Sequence, residues 1–300
     1  MTPRHAALLA GLWPLLAWAQ PVLGTPPRHA PPTLAEVPNA QAITQRIWAP
    51  GIDDGYVPQG VAWAGGRLYL SAYRSTDPAV GQGPCRVFQI DPAHGATLGW
   101  LDMPPGCGHA GGLVALDERT LVLGDTRRLY RIDLTAAFGP RPDAARAITA
   151  TVGLRGALKA SSIAFDGQRL MLATHSAQPT QALAHWLPLA VLDTHNGSDI
   201  DESAATDRIA LPTKVQGTAF DSTGALWLST SDSRHGLLAR SDPPGQAPTA
   251  RHAMVIGMEG LAFDAQGALW SVSEAGSLRW QRWGVHFPVL FRIDPARLQD

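Results

Sequence analysis

Apolar and polar positions in this chain alternate in short runs instead of recurring at helical spacing. Five segments open alike: Gln59-Gly60-Val61-Ala62-Trp63, Gly111-Gly112-Leu113-Val114-Ala115, Ser161-Ser162-Ile163-Ala164-Phe165, Gln216-Gly217-Thr218-Ala219-Phe220 and Glu259-Gly260-Leu261-Ala262-Phe263. Their second positions are residues 60, 112, 162, 217 and 260, giving steps of 52, 50, 55 and 43 residues. A turn such as Asp221-Ser222-Thr223-Gly224 or Asp264-Ala265-Gln266-Gly267 follows. Then comes a second apolar run: Leu68-Tyr69-Leu70-Ser71, Leu121-Val122-Leu123-Gly124, Leu170-Met171-Leu172-Ala173, Leu226-Trp227-Leu228-Ser229 or Leu269-Trp270-Ser271-Val272. Runs of this kind joined by tight turns predict hairpins.

Third strands are expected to end at Asp91, Asp133, Asp193, Asp242 and Asp294, with Val191-Leu192-Asp193 as the third of these and the aspartates bonding turn amides. Fourth strands follow in most units, as at 96–103 and 251–256. Four short antiparallel strands repeated at one period predict an all-β fold, a β-propeller. The last unit reaches Asp294 with only six residues left, too few for a turn and a fourth strand. The alternating segment Ile43-Thr44-Gln45-Arg46-Ile47-Trp48 can fill that edge. The expectation is therefore a five-bladed propeller of four-stranded blades closed by an N-terminal strand. The alternative, a six-bladed ring, would have to draw on residues 134–158 or 176–188.

Composition agrees with a turn-rich fold. Gly (30) and Pro (25) are abundant among 300 residues, while charged residues are 16% against about 25% in ordinary domains. That scarcity argues against a coiled coil, a disordered charged tail or a nucleic-acid binder. Arg4 and His5 precede an apolar run from Ala6 to Ala19 that ends Ala17-Trp18-Ala19, the pattern of a secretory signal peptide over residues 1–19. The run is broken by Pro14 and is too short to span a bilayer, so the mature protein is expected to have no membrane span and to be secreted or periplasmic. Residues 20–40, rich in proline, read as an extended linker without its own core, and residues 41–300 as the propeller domain. Cys85 and Cys107 are the two cysteines. In an exported chain they predict one disulfide, and their spacing suits a zinc site poorly.

In each blade the start of the first strand and the end of the second meet at one face of the disc. The starts bring Gln59, Gly111, Ser161, Gln216 and Glu259, with His109, Lys159 and Lys214 just upstream. The ends bring Tyr73, Thr126, His175, Ser231 and Glu274. A single Gln or Ser at such a place also suits ordered water and strand-end amides. Glu259 and Glu274 differ, because carboxylates are rarely buried without a partner. They face one another or share a cation, or else pair with Lys214 or His109. Trp280 and Trp283, in the loop after Glu274, either wall one side of the mouth or shield the last blade. The sequence carries no Gly-x-Ser-x-Gly elbow and no His-Glu-x-x-His.

The string Val57-Pro58-Gln59-Gly60, Gly108-His109-Ala110-Gly111-Gly112, Lys214-Val215-Gln216-Gly217, Met258-Glu259-Gly260 and Ser273-Glu274-Ala275-Gly276-Ser277 resembles a family of secreted bacterial propeller proteins of largely unassigned function. The likeness spans residues 43–295. More distantly the repeats resemble gluconolactonase, strictosidine-synthase-like and streptogramin-lyase propellers. That resemblance implies a site at the central mouth and often a divalent metal ion. Among the carboxylate and Asn positions that hold such an ion, only Glu259 carries over.

Two functions follow as expectations. One is a hydrolase or lyase acting on a small molecule, with Glu259 or Glu274 as base, Glu259 as metal ligand, and His109 or His175 as proton donor. Gln59, Tyr73, Ser161, Lys214, Gln216 and Trp280 would bind the ligand. The other is a non-catalytic scaffold that holds a small molecule or an envelope protein. The near-neutral balance of 24 basic and 25 acidic residues offers no reason to nominate nucleic acid, and a monomer is expected.

Overall fold

The computed structural model describes residues 21–30 and 33–300; the signal-peptide reading of residues 1–19 lies outside them. Five antiparallel blades are arranged as a propeller. The first contains Tyr56–Ala64, Arg67–Arg74, Cys85–Ile90 and Thr97–Asp102, and the second Gly112–Ala115, Thr120–Asp125, Arg128–Asp133 and Ile148–Leu154. The third contains Ser162–Phe165, Arg169–Ala173, Leu183–Pro188 and Asp207–Ala210. The fourth contains Val215–Phe220, Leu226–Ser231, Gly236–Ser241 and Ala250–Met254. The fifth takes Met258–Phe263, Leu269–Ser273 and Val289–Ile293, and its edge is filled by Ile43–Trp48, with Trp48 opposite Val289. Residues 134–158 and 176–188 build no sixth blade. They supply short helices Leu134–Phe138 and Ala144–Ala147, the second blade's outer strand and the third blade's third strand.

One strand assignment is corrected. Val191-Leu192-Asp193 belongs to a short helix, Val191–Thr194, and the third strand of its blade lies earlier, at Leu183–Pro188. The excursion beyond it sends Asp199–Ile200 to pair in parallel with the outer strand of the second blade. The periodic aspartate there bonds Arg131 of the neighbouring blade instead of a turn amide.

The hairpin turns have a repeated cause. Asp264 accepts from the amides of Gln266 and Ala268, the Trp270 indole at 3.1 Å and Arg292 Nε at 2.7 Å. Asp221 repeats this with Ala225, Trp227 and Arg240. One carboxylate thus ties the turn to both the second and third strands of its blade. Apolar clusters fill each seam between neighbouring blades, for example Tyr69, Val87 and Leu121 between the first two and Trp227, Leu261 and Leu269 between the last two. The described part of the proline-rich segment does not hang free. Leu23 exchanges backbone bonds with Arg46 and Trp48 at 2.9 Å, and His29 reaches Asp53 and the Gly276 carbonyl.

Candidate functional site

Three first strands are irregular where the mouth residues sit. Register shifts fall between Pro58 and Val61, Val215 and Gly217, and Met258 and Leu261. Bulges of this kind bend a strand and re-aim a side chain, here at Gln59, Gln216 and Glu259. The glycines that follow are dictated by close approach of neighbouring first strands. A Cβ on Gly260 would lie 2.6 Å from the Val61 nitrogen, and one on Gly60 would lie 2.7 Å from that of Leu113. Buried serines of the second strands secure the bulged backbone: Ser71 receives the Gly60 amide and donates to the Ala110 carbonyl, and Ser229 donates to the Glu259 carbonyl.

The result is a cavity of about 300 Å³ at the mouth. First-strand starts contribute Gln59, Ser161, Gln216 and Glu259. Second-strand ends contribute Thr126, His175 and Glu274, and loops contribute His109, Lys159, Arg279 and Trp280. The two rings inferred from repeat alignment therefore converge on one space.

Glu259 and Glu274 are its centre, 2% and 7% exposed. Gln59 Nε2 donates to Glu274 over a long 3.4 Å, and Glu259 Oε1 is buried without a hydrogen-bond partner. Burial pushes both carboxyls up. Glu259 stands well above the usual carboxylate range, lifted further by the Glu274 charge, and Glu274 is raised to about 7. Trp280, Arg279 and Gln59 oppose the rise at Glu274. The Trp280 indole N–H is near enough to favour the charged form but is not aligned as a full hydrogen bond. Near neutral pH burial and the repulsion between the two carboxyls keep them from both ionising.

Arg279 was not among the residues singled out from sequence. Its guanidinium lies 4.2 Å from the Trp280 ring centroid, bonds the Tyr73 hydroxyl and donates to the carbonyls of Asp77 and Pro78. It staples the fifth-blade loop to the first blade and lowers the cost of negative charge on the pair. The available signal was a lone position, a cation beside Trp280 in the loop that follows Glu274.

His109 is held by its neighbours. The Asp125 carboxylate accepts from the amides of Gly108, His109 and Ala110 at 3.0, 2.6 and 3.0 Å, and the disulfide Cys85–Cys107, Cα–Cα 5.7 Å, anchors the same loop. Nδ1 lies 2.7 Å from the Gly81 carbonyl, which can only accept, so Nδ1 carries the hydrogen and Nε2 the lone pair. Burial lowers the His109 pKa and keeps the ring neutral. His175, on the rim, is placed alike by the Val215 carbonyl at 3.2 Å. The neutral His109 ring presents Nε2 as an acceptor, so its proton-donor expectation gives way to a base or hydrogen-bond-acceptor role.

Two residues expected to bind ligand are placed elsewhere. Lys214, on left-handed backbone with φ of 60°, pairs with Asp232 at 2.7 Å and does not line the cavity. Tyr73 is fully buried behind the wall, stacked on His109 with ring centroids 4.6 Å apart, and burial raises its pKa. It supports His109 and Arg279. Trp280 does line the mouth, stacked on Trp283 at 4.7 Å.

The donor set does not fit the metal expected at Glu259. A hard divalent ion needs several oxygen ligands. Among the described residues, the single group of three closely placed acidic, His or Cys ligand atoms is Cys85, Cys107 and Asp125, whose sulfurs are in the disulfide. At the glutamates, Arg279 already supplies the positive charge.

The disulfide, and the lack among the described residues of a helix long and apolar enough to cross a membrane, are compatible with an exported protein. No family model matches the sequence, and no match was found among curated proteins. Among solved structures the chain is similar to the Myxococcus xanthus glutaminyl cyclase, with TM-score 0.53 and 12% identity over 84% of this chain and 94% of that one. It is also similar to the PQQ-bound aldose sugar dehydrogenase of Streptomyces coelicolor, with TM-score 0.51 and 15% identity over 88% and 99% of the two chains. At these identities the likeness is one of fold: the chain is a five-bladed β-propeller.

Proposed function

We propose that this protein is an exported enzyme of hydrolase or lyase type that performs acid–base chemistry on a small molecule held at the upper mouth of the propeller. The observation that carries the reading is the buried pair Glu259 and Glu274, both with raised pKa and Glu274 at about 7. Two such carboxyls lining one cavity, only one of them ionised, leave one acid and one base at neutral pH. Glu259, with Oε1 buried and without a hydrogen-bond partner, keeps the proton and acts as general acid. Glu274, steadied by Gln59 and Arg279, is the general base. The Nε2 lone pair of His109 accepts a hydrogen bond from the substrate, His175 contacts it from the rim, and Trp280 closes one wall. No step requires a metal ion at Glu259.

The test is a turnover screen of the mature chain with Glu259→Gln and Glu274→Gln beside it. Peptides with N-terminal glutamine are the first substrates to assay. Cyclisation by attack of the amine on the side-chain carboxamide, with release of ammonia, needs one base and one acid, and a neighbour of the same fold bears that activity in its name. Lactones and other small esters follow. Loss of turnover in both variants with retained folding supports the reading; undiminished turnover in both refutes it.

A further inference from the structure

Beside the mouth lies a larger groove, about 750 Å³, between the first two blades. His109 and Thr126 line both spaces, so a ligand reaching the glutamates can extend past these two residues without leaving the protein surface. The chemistry of the two compartments is opposite. The mouth is acidic at its centre. The groove carries Arg127, Arg128 and Arg155 against Asp125 and Asp199.

Most of that charge is already committed. Asp125 is saturated by backbone amides, as described above. Arg155 Nε bonds Asp199 at 2.6 Å, and Arg127 donates to the carbonyls of Gly156 and Leu158 at 2.9 and 2.8 Å. Arg128 is different. It is exposed, near the Tyr130 hydroxyl and attracted by Asp125 and Asp199, and among the described residues it forms neither an ion pair nor a hydrogen bond of full geometry. The groove thus has one guanidinium held by no contact acceptor, the group best shaped to grip an oxyanion.

Thr126 marks the junction. Its φ of +35° is left-handed backbone, which a β-branched residue rarely adopts. A glycine would relieve that strain but would leave no side chain where the two spaces meet.

We infer that the groove is a second subsite, and that the ligand is an extended zwitterion: an amine or other cationic end lies at the glutamate pair and an oxyanion, carboxylate or phosphate, lies on Arg128. This rests on the acid–base reading of the mouth for its orientation, but its test reads binding and not turnover. The probes are the dipeptide methionyl-glutamate, which has no carboxamide to cyclise, its partner methionyl-glutamine amide, which keeps the amine and is uncharged at the acidic end, and methionyl-phosphoserine, titrated calorimetrically into the mature protein. Arg128→Gln should weaken the glutamate probe about tenfold and leave the amide probe within about twofold, as expected for loss of one charge-assisted contact. Arg128→Glu should reverse the preference, so that methionyl-lysine binds better than methionyl-glutamate. Tighter binding of the phosphoserine probe than of the glutamate probe would identify phosphate as the source of the oxyanion, and the reverse order carboxylate. Equal weakening of charged and uncharged probes by Arg128→Gln, or no binding of any probe at about 10 mM, overturns the inference. If Arg128 discriminates while Glu259→Gln and Glu274→Gln leave turnover intact, the subsite stands and the proposed catalysis fails.

Discussion

At the upper mouth Glu259 and Glu274 are buried with one long hydrogen bond from Gln59 between them. At the lower face Asp221 is met by donors from Thr223, Ala225, Trp227 and Arg240, and Asp264 by four of the same kinds. Burial raises the pKa of every one of these groups. At the mouth nothing outweighs it, and Glu274 sits at about 7; at the lower face the donors outweigh it, and Asp221 sits at about 2. The difference separates a carboxylate that can exchange a proton at neutral pH from one that serves only as a clamp. The channel itself follows the same division. Its lower opening is lined by apolar and aromatic side chains, among them Trp63, Phe165, Phe220 and Phe263, and offers no titratable group.

The comparison breaks most visibly in activity. Glu259→Gln or Glu274→Gln should lower turnover about 10²- to 10⁴-fold, the range for loss of a general acid or base, measured at saturating substrate with folding checked by circular dichroism. At the lower face the effect should be on stability. Asp264→Ala should cost roughly 4 kcal/mol in a urea titration, since it leaves Arg292 and the Trp270 indole without their acceptor, and should spare the turnover of the folded fraction.

The two sets also have opposite pH dependence. A carboxyl whose pKa is raised on folding stabilises fully below its unfolded value, near 4.5, and loses that contribution as pH rises through about 7. For Glu274 this amounts to on the order of 3 kcal/mol. The lower-face aspartates work the other way: their contribution is present above about pH 4 and is lost as pH falls, for Asp221 through about 2. Together these two sets favour greatest stability near pH 4 to 5. Thermal melts from pH 3 to pH 9 would show it, and the double glutamine variant should flatten the fall above pH 5. A flat wild-type profile would contradict the unpaired state of the mouth pair. The smallest expected effect is at Arg279. Arg279→Gln removes the charge that favours ionised Glu259 and Glu274, so the midpoint of the pH–rate profile should move up by about one unit.

Much of this was legible along the chain because it is encoded locally. The hairpins follow from Asp-x-x-Gly turns between apolar runs, and the ring positions of Gln59, Ser161, Gln216 and Glu259 follow from repeat alignment, since each blade places equivalent positions at equivalent radius. The exceptions share a cause. Val191–Thr194 looks like a strand end but turns helical because Leu183–Pro188 already occupies the third-strand edge. Lys214 shares the spacing of His109 and Lys159 yet leaves the mouth for Asp232. Arg279 has no counterpart in other blades, so repetition could not find it.

The sequence by itself determined the strand period, the closing N-terminal strand and the pair of acidic residues bound for one mouth, because turn chemistry and alternation act over a few residues. The tertiary structure alone decided which carboxylates receive donors. Donors to Asp264 come from its own hairpin and the next strand. Those that Glu259 would need must come across the mouth, and none reaches its Oε1.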